Sequence, residues 1–101
     1  MHAFAGKMDA TALHERIERL IQKEEFKDAL KQAKVAFRQD ASAENHRLFE
    51  RVLYLRANEL ARRGLLPEAK DTVVQLLDLG VTDQDILGDL VLLLPRLGMG
   101  D

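Results

Sequence analysis

The sequence predicts an all-α fold in which about five helices pack as stacked antiparallel hairpins. Helix-forming residues fill most positions, and only 2 of the 101 residues are prolines. Apolar residues recur at the three- and four-residue spacing of amphipathic helices. Short polar or glycine-containing breaks separate these stretches, and none is a Gly/Ser-rich linker. We therefore expect a single domain over residues 1–101, with an ordered core over about residues 9–97.

The first two helices are predicted over Ala10 to Lys23, with Asp9 or Thr11 as N-cap, and over Glu25 to Gln39. The apolar stripe of the first comprises Leu13, Ile17, Leu20 and Ile21. That of the second comprises Phe26, Ala29, Leu30, Ala33, Ala36 and Phe37. Because the connection between them is very short, the two helices should form an antiparallel hairpin.

The third helix is predicted over Ala43 to Arg63, with Ser42 as its N-cap. It is apolar on two sides. One row comprises Phe49, Leu53, Ala57 and Leu60, and the other comprises Leu48, Val52 and Leu55. A helix buried on two faces belongs in the middle of a stack. Gly64 should end it in the left-handed conformation that glycine adopts without strain.

The fourth helix is predicted over Pro67 to Leu79 and stops at Gly80. Thr82 should open the fifth helix, with Asp85 as its capping-box partner. Seven of the nine residues from Ile86 to Leu94 are apolar. This is more apolar surface than a helix at the edge of a stack buries against its neighbours. The ordered region is predicted to end at Pro95, Gly98 and Gly100.

The composition argues against several classes of protein. The chain has no cysteine, which excludes disulfide scaffolds, Cys-ligated zinc and thiol catalysis. Its formal net charge of −2 argues against a nucleic-acid binder. Met1 to Lys7 hold no secretory apolar run, and no stretch has the roughly 20 apolar residues of a membrane span. We expect a soluble cytoplasmic protein.

The residues that could carry catalysis are few. The histidines are His2, His14 and His46, and none has the spacing of a recognised metal motif. Ser42 is the only serine and looks like a helix cap, and no glycine-rich phosphate loop is present. The sequence therefore predicts no catalytic residue, no metal, no cofactor and no enzyme activity.

Two segments can be superposed at an offset of 40 residues, Glu25 to Leu30 on Leu65 to Lys70. Each has a bulky apolar residue, an acidic residue and an alanine at the start of a second helix. A period of 20–50 residues is typical of stacked helical pairs.

These residues resemble the tetratricopeptide repeat family. The turn from Gly64 to Ala69 is close to the inter-helix signature of that family, and Leu87-Gly88 resembles the Leu-Gly pair of its first helix. The resemblance covers about Leu13 to Leu94. The chain departs from the pattern in its 40-residue offset, where 34 is usual, in Ile17 at a usually small position, and in the absence of a proline at Asp40-Ala41.

The resemblance implies a concave surface, lined by the first helix of each pair, that binds a short peptide or helix of another protein. Arg51, Tyr54, Asn58 and Arg62 form one stripe of the third helix, with His14 and Glu18 opposite. Asn58 would bond the peptide backbone, and the neighbouring cations would hold its carboxylates. Ordinary structural roles stay open: a solvated surface for the polar residues and a half-buried core position for Tyr54.

The alternative prediction is a homo-oligomerisation or packing element of a larger protein, with a homodimer as one form. Its interface residues would be Leu87, Leu90, Val91 and Leu94 on the apolar fifth helix. The same helix could instead fold fully against the third and fourth helices. Charge is uneven, since residues 1–70 carry a balance of +3 and residues 71–101 a balance of −5.

Overall fold

The helices run in the predicted order through the described part of the chain, residues 9–99 of a computed structural model. They are α1 (Ala10–Gln22), α2 (Phe26–Gln39), α3 (Ala43–Arg62), α4 (Leu66–Leu79), α5 (Gln84–Leu93) and a 3-10 turn (Leu94–Leu97). These residues include no strand, which confirms the all-α prediction. The bounds of α1 to α4 agree with the prediction to within one residue. Some residues considered above lie outside the described part of the chain: the segment from Met1 to Lys7, which includes His2, and Gly100.

Consecutive helices pack side by side. α1 contacts α2, α2 contacts α3, and α3 contacts α4, while α5 packs on α3 and the 3-10 turn reaches both α5 and α4. The resulting shape is elongated, with principal-axis extents of 54, 25 and 19 Å. The two narrow dimensions match two layers of helices about 10 Å thick.

The central position of α3 is confirmed by its contacts. Leu53, Ala57 and Leu60 join a cluster formed with α4, α5 and the 3-10 turn. Val52 joins the other cluster, formed with α1 and α2, and Leu48 and Leu55 pack against it. The two adjacent residues Val52 and Leu53 are both fully buried, yet each belongs to a different cluster. One helix therefore joins two separate apolar cores.

The two hairpin turns share one geometry. The Glu25 N–H donates to the Leu20 carbonyl at 2.9 Å, and 40 residues later the Leu65 N–H donates to the Leu60 carbonyl at the same distance. Each turn needs a residue with positive φ, which is 58° at Glu24 and 78° at Gly64. Glycine adopts this conformation without the steric cost that a Cβ brings. The predicted role of Gly64 is confirmed, and Glu24 is its non-glycine counterpart.

Asn45 holds the connection between α2 and α3. Its side chain is buried, and its Nδ2 donates to the Asp40 carbonyl at 2.7 Å and the Ala36 carbonyl at 3.2 Å. Ser42 is the N-cap of α3, as predicted, and accepts from the Asn45 N–H. The bond to Asp40 satisfies the carbonyl of the C-cap residue of α2. The bond to Ala36 adds a second donor to a carbonyl that already accepts from the Asp40 N–H at 3.0 Å.

Glu50 holds the connection between α4 and α5, although its side chain is fully buried. Its carboxylate accepts from the Thr82 N–H at 2.8 Å, the Thr82 hydroxyl at 2.5 Å and the Asp83 N–H at 3.1 Å. His46, one turn earlier on α3, contacts the same carboxylate through Nδ1 at 2.7 Å. A buried carboxylate is tolerated only with such a full set of donors.

These contacts correct one prediction at the C-terminal end. Thr82 does not cap α5, because its hydroxyl is bonded to Glu50. Asp83 is the N-cap and accepts from the N–H groups of Asp85 and Ile86. The chain continues past Pro95 as a 3-10 turn that ends at Leu97, and proline permits this conformation at its start.

Burial acts to raise the pKa of Glu50, but its hydrogen bonds from Thr82, Asp83 and His46 outweigh that effect. The net result is a pKa below the ordinary value of 4.5. A carboxyl group whose pKa is lowered by folding stabilises the fold above its unfolded-state pKa. That stabilisation is lost as pH falls through the folded-state pKa.

Replacing Gly64 with alanine should destabilise the fold by about 1 kcal/mol, because alanine is strained at positive φ. The matched control is Gly88→Ala. Gly88 lies inside α5 without positive φ, and an added Cβ meets nothing within 4 Å. That change should stabilise the fold by about 0.5–1 kcal/mol. Thermal melts of both variants check the prediction, and a loss of stability in Gly88→Ala as large as in Gly64→Ala would contradict it.

Glu50→Gln should lower the free energy of unfolding by about 2 kcal/mol at pH 7, because an amide cannot accept all of these bonds. The gap between variant and parent should shrink as pH falls from the ordinary pKa of 4.5 toward the lower folded-state pKa of Glu50, at which the carboxyl group of the folded protein becomes neutral. Urea denaturation across this pH range is the measurement. Glu44→Gln is the control, since that side chain is 75% exposed, and a pH-independent gap for Glu50→Gln would refute the assignment.

Candidate functional site

Three of the predicted site residues meet at one recess between α1 and α3. The recess has a volume of about 220 Å³ and is lined by His14, Glu18, Glu44, Arg47, Leu48, Arg51 and Asp83. α1 supplies His14 and Glu18, and α3 supplies Arg51 one turn after Arg47. A space of this size is smaller than the pockets of about 300–1,000 Å³ that enclose small-molecule ligands. It has the capacity of one side chain of a larger partner.

Arg51 is paired with Glu18 across the recess. Its Nη1 donates to both carboxylate oxygens, at 3.0 and 3.2 Å. Both side chains are about half exposed, 42% for Arg51 and 50% for Glu18. Exposed pairs of this kind contribute about 0–1 kcal/mol. An incoming carboxylate could therefore replace Glu18 on Arg51 at little cost.

His14 is fixed by the fold. Its ring Nε2 donates to Asn45 Oδ1 at 2.5 Å, an assignment that follows because the Asn45 amide nitrogen is already bonded to two carbonyls. The other ring nitrogen, Nδ1, lies 3.7 Å from the Glu44 carboxylate. His14 thus links the α1 wall of the recess to the connection that Asn45 holds.

The other predicted residues continue along α3 away from the recess. Tyr54 and Asn58 are half-buried and Arg62 is exposed. Together with Arg51 they make a row about 16 Å long, at 1.5 Å per residue. Tyr54 packs against the apolar cluster that α3 shares with α5. The predicted stripe is therefore one surface row, and its middle is anchored in the core.

Burial raises the pKa of Tyr54 above its ordinary value near 10, and the negative charge of Asp89 adds to this. The positive charge of Arg96 acts in the opposite direction. The phenol thus lies between α3 and the C-terminal elements, within reach of both charges. Because folding favours the neutral phenol, its contribution to stability is lost as pH rises above 10.

The structure separates the four residues predicted for the oligomer interface. Leu87 and Val91 are 42% and 56% exposed, and Leu94 is partly buried. Leu90 is only 2% exposed, because it points into the core between α3 and α4, and this corrects its prediction as a surface contact. The helix-wide apolar pattern could not distinguish these positions without knowledge of the neighbouring helices.

The site residues predicted from the sequence do not include all the residues that line the recess. Arg47, Glu44 and Asp83 line the recess, and the spacing of Arg47 one turn before Arg51 was the available signal. A second depression, of about 410 Å³, lies between the two hairpin turns over Phe26, Leu60 and Leu65. Its rim mixes acidic and basic side chains, and no sequence motif indicates it.

No protein-family model matches the chain, and no curated protein and no solved structure matches it either. The likeness to tetratricopeptide repeats thus remains a resemblance of sequence. Among residues 9–99, no group of three or more His, Cys, Asp or Glu side chains is arranged to hold a metal ion. Across the same residues, each helix is too short or too polar to cross a bilayer.

The titration of Tyr54 tests its placement, because it is the only tyrosine of the chain and there is no tryptophan. The absorbance change of tyrosinate should appear at higher pH in the folded protein than in urea. Asp89→Asn should lower the pKa of Tyr54, since it removes a nearby negative charge. Asp78→Asn, an exposed change on α4, should leave it unaltered, and an equal shift in both variants would contradict the placement.

Proposed function

We propose that this chain is a protein–protein interaction module that binds a short acidic segment of another protein across the α1–α3 face. Arg51, Tyr54, Asn58 and Arg62 contact the segment from α3, with His14 and Glu18 opposite. The module carries out no covalent chemistry. The observation that supports this best is the recess, where His14, Glu18 and Arg51 meet around a space sized for one side chain.

Two arginines make a carboxylate the group that we expect to enter the recess, although Glu18, Glu44 and Asp83 also line it. Arg47 and Arg51 both line it, and no carboxylate in residues 9–99 lies within 4.0 Å of the Arg47 guanidinium. Within the described part of the chain, Arg51 is held only by the exposed pair with Glu18. Two arginines side by side give a carboxylate the forked donors that it binds most strongly.

The length of the row sets the size of the ligand. The row from Arg51 to Arg62 extends about 16 Å, which an extended peptide of about five residues spans at 3.3 Å per residue. Asn58 lies in the middle of the row and carries both a donor and an acceptor for a peptide backbone. Tyr54 offers a rigid ring, and Tyr and Arg are the residue types enriched at binding hot spots.

A fluorescein-labelled library of pentapeptides, each with one Glu at a varied position, tests the proposal by fluorescence anisotropy. The Glu peptides should bind more tightly than their Gln twins. Arg47→Ala should weaken binding about tenfold, the size expected for losing a charge-assisted hydrogen bond. Arg51→Ala should weaken binding less, because Arg51 gives up its exposed pair with Glu18 when the ligand carboxylate binds. Asn58→Ala should weaken the binding of Glu and Gln peptides equally, because Asn58 contacts the peptide backbone, which both kinds of peptide share.

Arg63→Ala is the matched control, because it removes an exposed arginine of the same region that lines the other depression. It should leave affinity within about twofold. Circular dichroism melts confirm that each variant is folded. Equal binding of Glu and Gln peptides, or unchanged binding by both Arg47→Ala and Asn58→Ala, would reject the proposal.

A further inference from the structure

The hydrogen bond of His14 to the fold determines which of its ring nitrogens can gain a proton. Nε2 lies 2.5 Å from Asn45 Oδ1, and the Asn45 amide nitrogen already donates to the carbonyls of Ala36 and Asp40. Asn45 Oδ1 therefore accepts, and Nε2 carries a proton in the neutral ring as well as in the charged one. In the neutral ring Nδ1 has no proton, so a second proton has to add there.

Nδ1 lies on the side of the ring that faces the recess. It is 3.7 Å from the Glu44 carboxylate, and Glu44 lines the recess, whereas the buried Asn45 on the other side of the ring does not. The side chains of His14 and Glu44 are 24% and 75% exposed, so water can deliver and remove a proton. Protonation of His14 thus adds a positive charge to the lining of the recess and leaves the bond to Asn45 intact.

The charge of the recess is close to balance, so one proton changes its sign. Five other charged side chains line it, from α1, α3 and the connection before α5: Glu18, Glu44, Arg47, Arg51 and Asp83. α2, which also packs on α1, contributes no charged side chain to the lining among residues 9–99. Three of the five are acidic and two are basic, which gives one net negative charge while His14 is neutral and none when it is charged.

We propose that protonation of His14 at Nδ1 tightens the binding of the acidic segment, so that the module holds its ligand more strongly at mildly acidic pH. This inference rests on the proposed function and adds the regulation of the same site. The added charge attracts the ligand carboxylate and at the same time offsets the charge of Glu44. Histidine is the side chain that ordinarily changes charge between pH 5 and 8. By linkage, the ligand in turn promotes protonation of His14.

The affinities of a Glu pentapeptide and its Gln twin at pH 8.0 and pH 5.5 test the proposal. Both peptides are capped at their ends and carry a rhodamine label, whose emission does not depend on pH in this range, and binding is followed by anisotropy. The Glu side chain is ionised at both pH values. The Glu peptide should bind about fivefold more tightly at pH 5.5, the factor expected for one added charge about 4 Å away at a hydrated surface. The affinity of the Gln peptide should change much less.

His14→Gln separates the charge of His14 from its hydrogen bond. The Gln amide nitrogen can donate to Asn45 Oδ1 as Nε2 does, but the side chain is neutral at both pH values. This variant should keep the preference for the Glu peptide and lose its pH dependence. Glu15→Gln is the matched control, because Glu15 is the exposed neighbour of His14 on α1 and does not line the recess. It should keep both the preference and the pH dependence of the parent.

The protonation of the His14 ring can be followed without any ligand in long-range proton–nitrogen NMR spectra. At pH 8.0 the ring should carry its proton on Nε2, and Nδ1 should gain one as pH falls. A proton on Nδ1 instead of Nε2 at pH 8.0 would overturn the inference, as would an equal pH dependence in the parent and His14→Gln. A preference for the Glu peptide that does not change with pH would overturn this inference alone, whereas no preference at either pH would reject the proposed function with it.

Discussion

The two-sided burial of α3 is the constraint on which the rest of the structure depends. Val52 and Leu53 follow each other in the chain and are both fully buried, but they belong to separate apolar clusters. α1 and α2 are held through one side of α3, and α4 and α5 through the other. The remaining stripe of this helix is left for polar residues, and it carries Arg47, Arg51 and Asn58. The candidate site is therefore positioned by the same helix that joins the two cores.

Buried polar side chains of α3 add to this constraint by holding the connections between helices. Asn45 forms hydrogen bonds with the connection between α2 and α3, and Glu50 forms hydrogen bonds with the connection between α4 and α5. Apolar packing alone is non-directional, so it leaves the angle of each connection loosely defined. A carboxylate or an amide that must satisfy several bonds in a dry interior accepts only one arrangement. Through Glu50, α3 sets where α5 begins and thus which side of α5 meets solvent.

Apolar periodicity and local capping signals were sufficient to predict the five helices, because both are properties of neighbouring residues. Gly64 and Ser42 behave as predicted for this reason. Thr82 was assigned the wrong role, because Glu50, 32 residues away, competes for its hydroxyl. The exposure of Leu87 and the burial of Leu90 depend likewise on where α3 lies. In the site, helical spacing predicted the row on α3. The Arg51–Glu18 pair and the recess could not be predicted in the same way, because they depend on the distance between α1 and α3.

The pair between Arg51 and Glu18 also governs how a ligand would gain affinity at the recess. A ligand carboxylate that takes the place of Glu18 exchanges one exposed ion pair for another, and the net gain from that exchange is small. Affinity must then come from groups that are unpaired in the free protein, which are Arg47 within residues 9–99 and the surface of Tyr54 and Asn58.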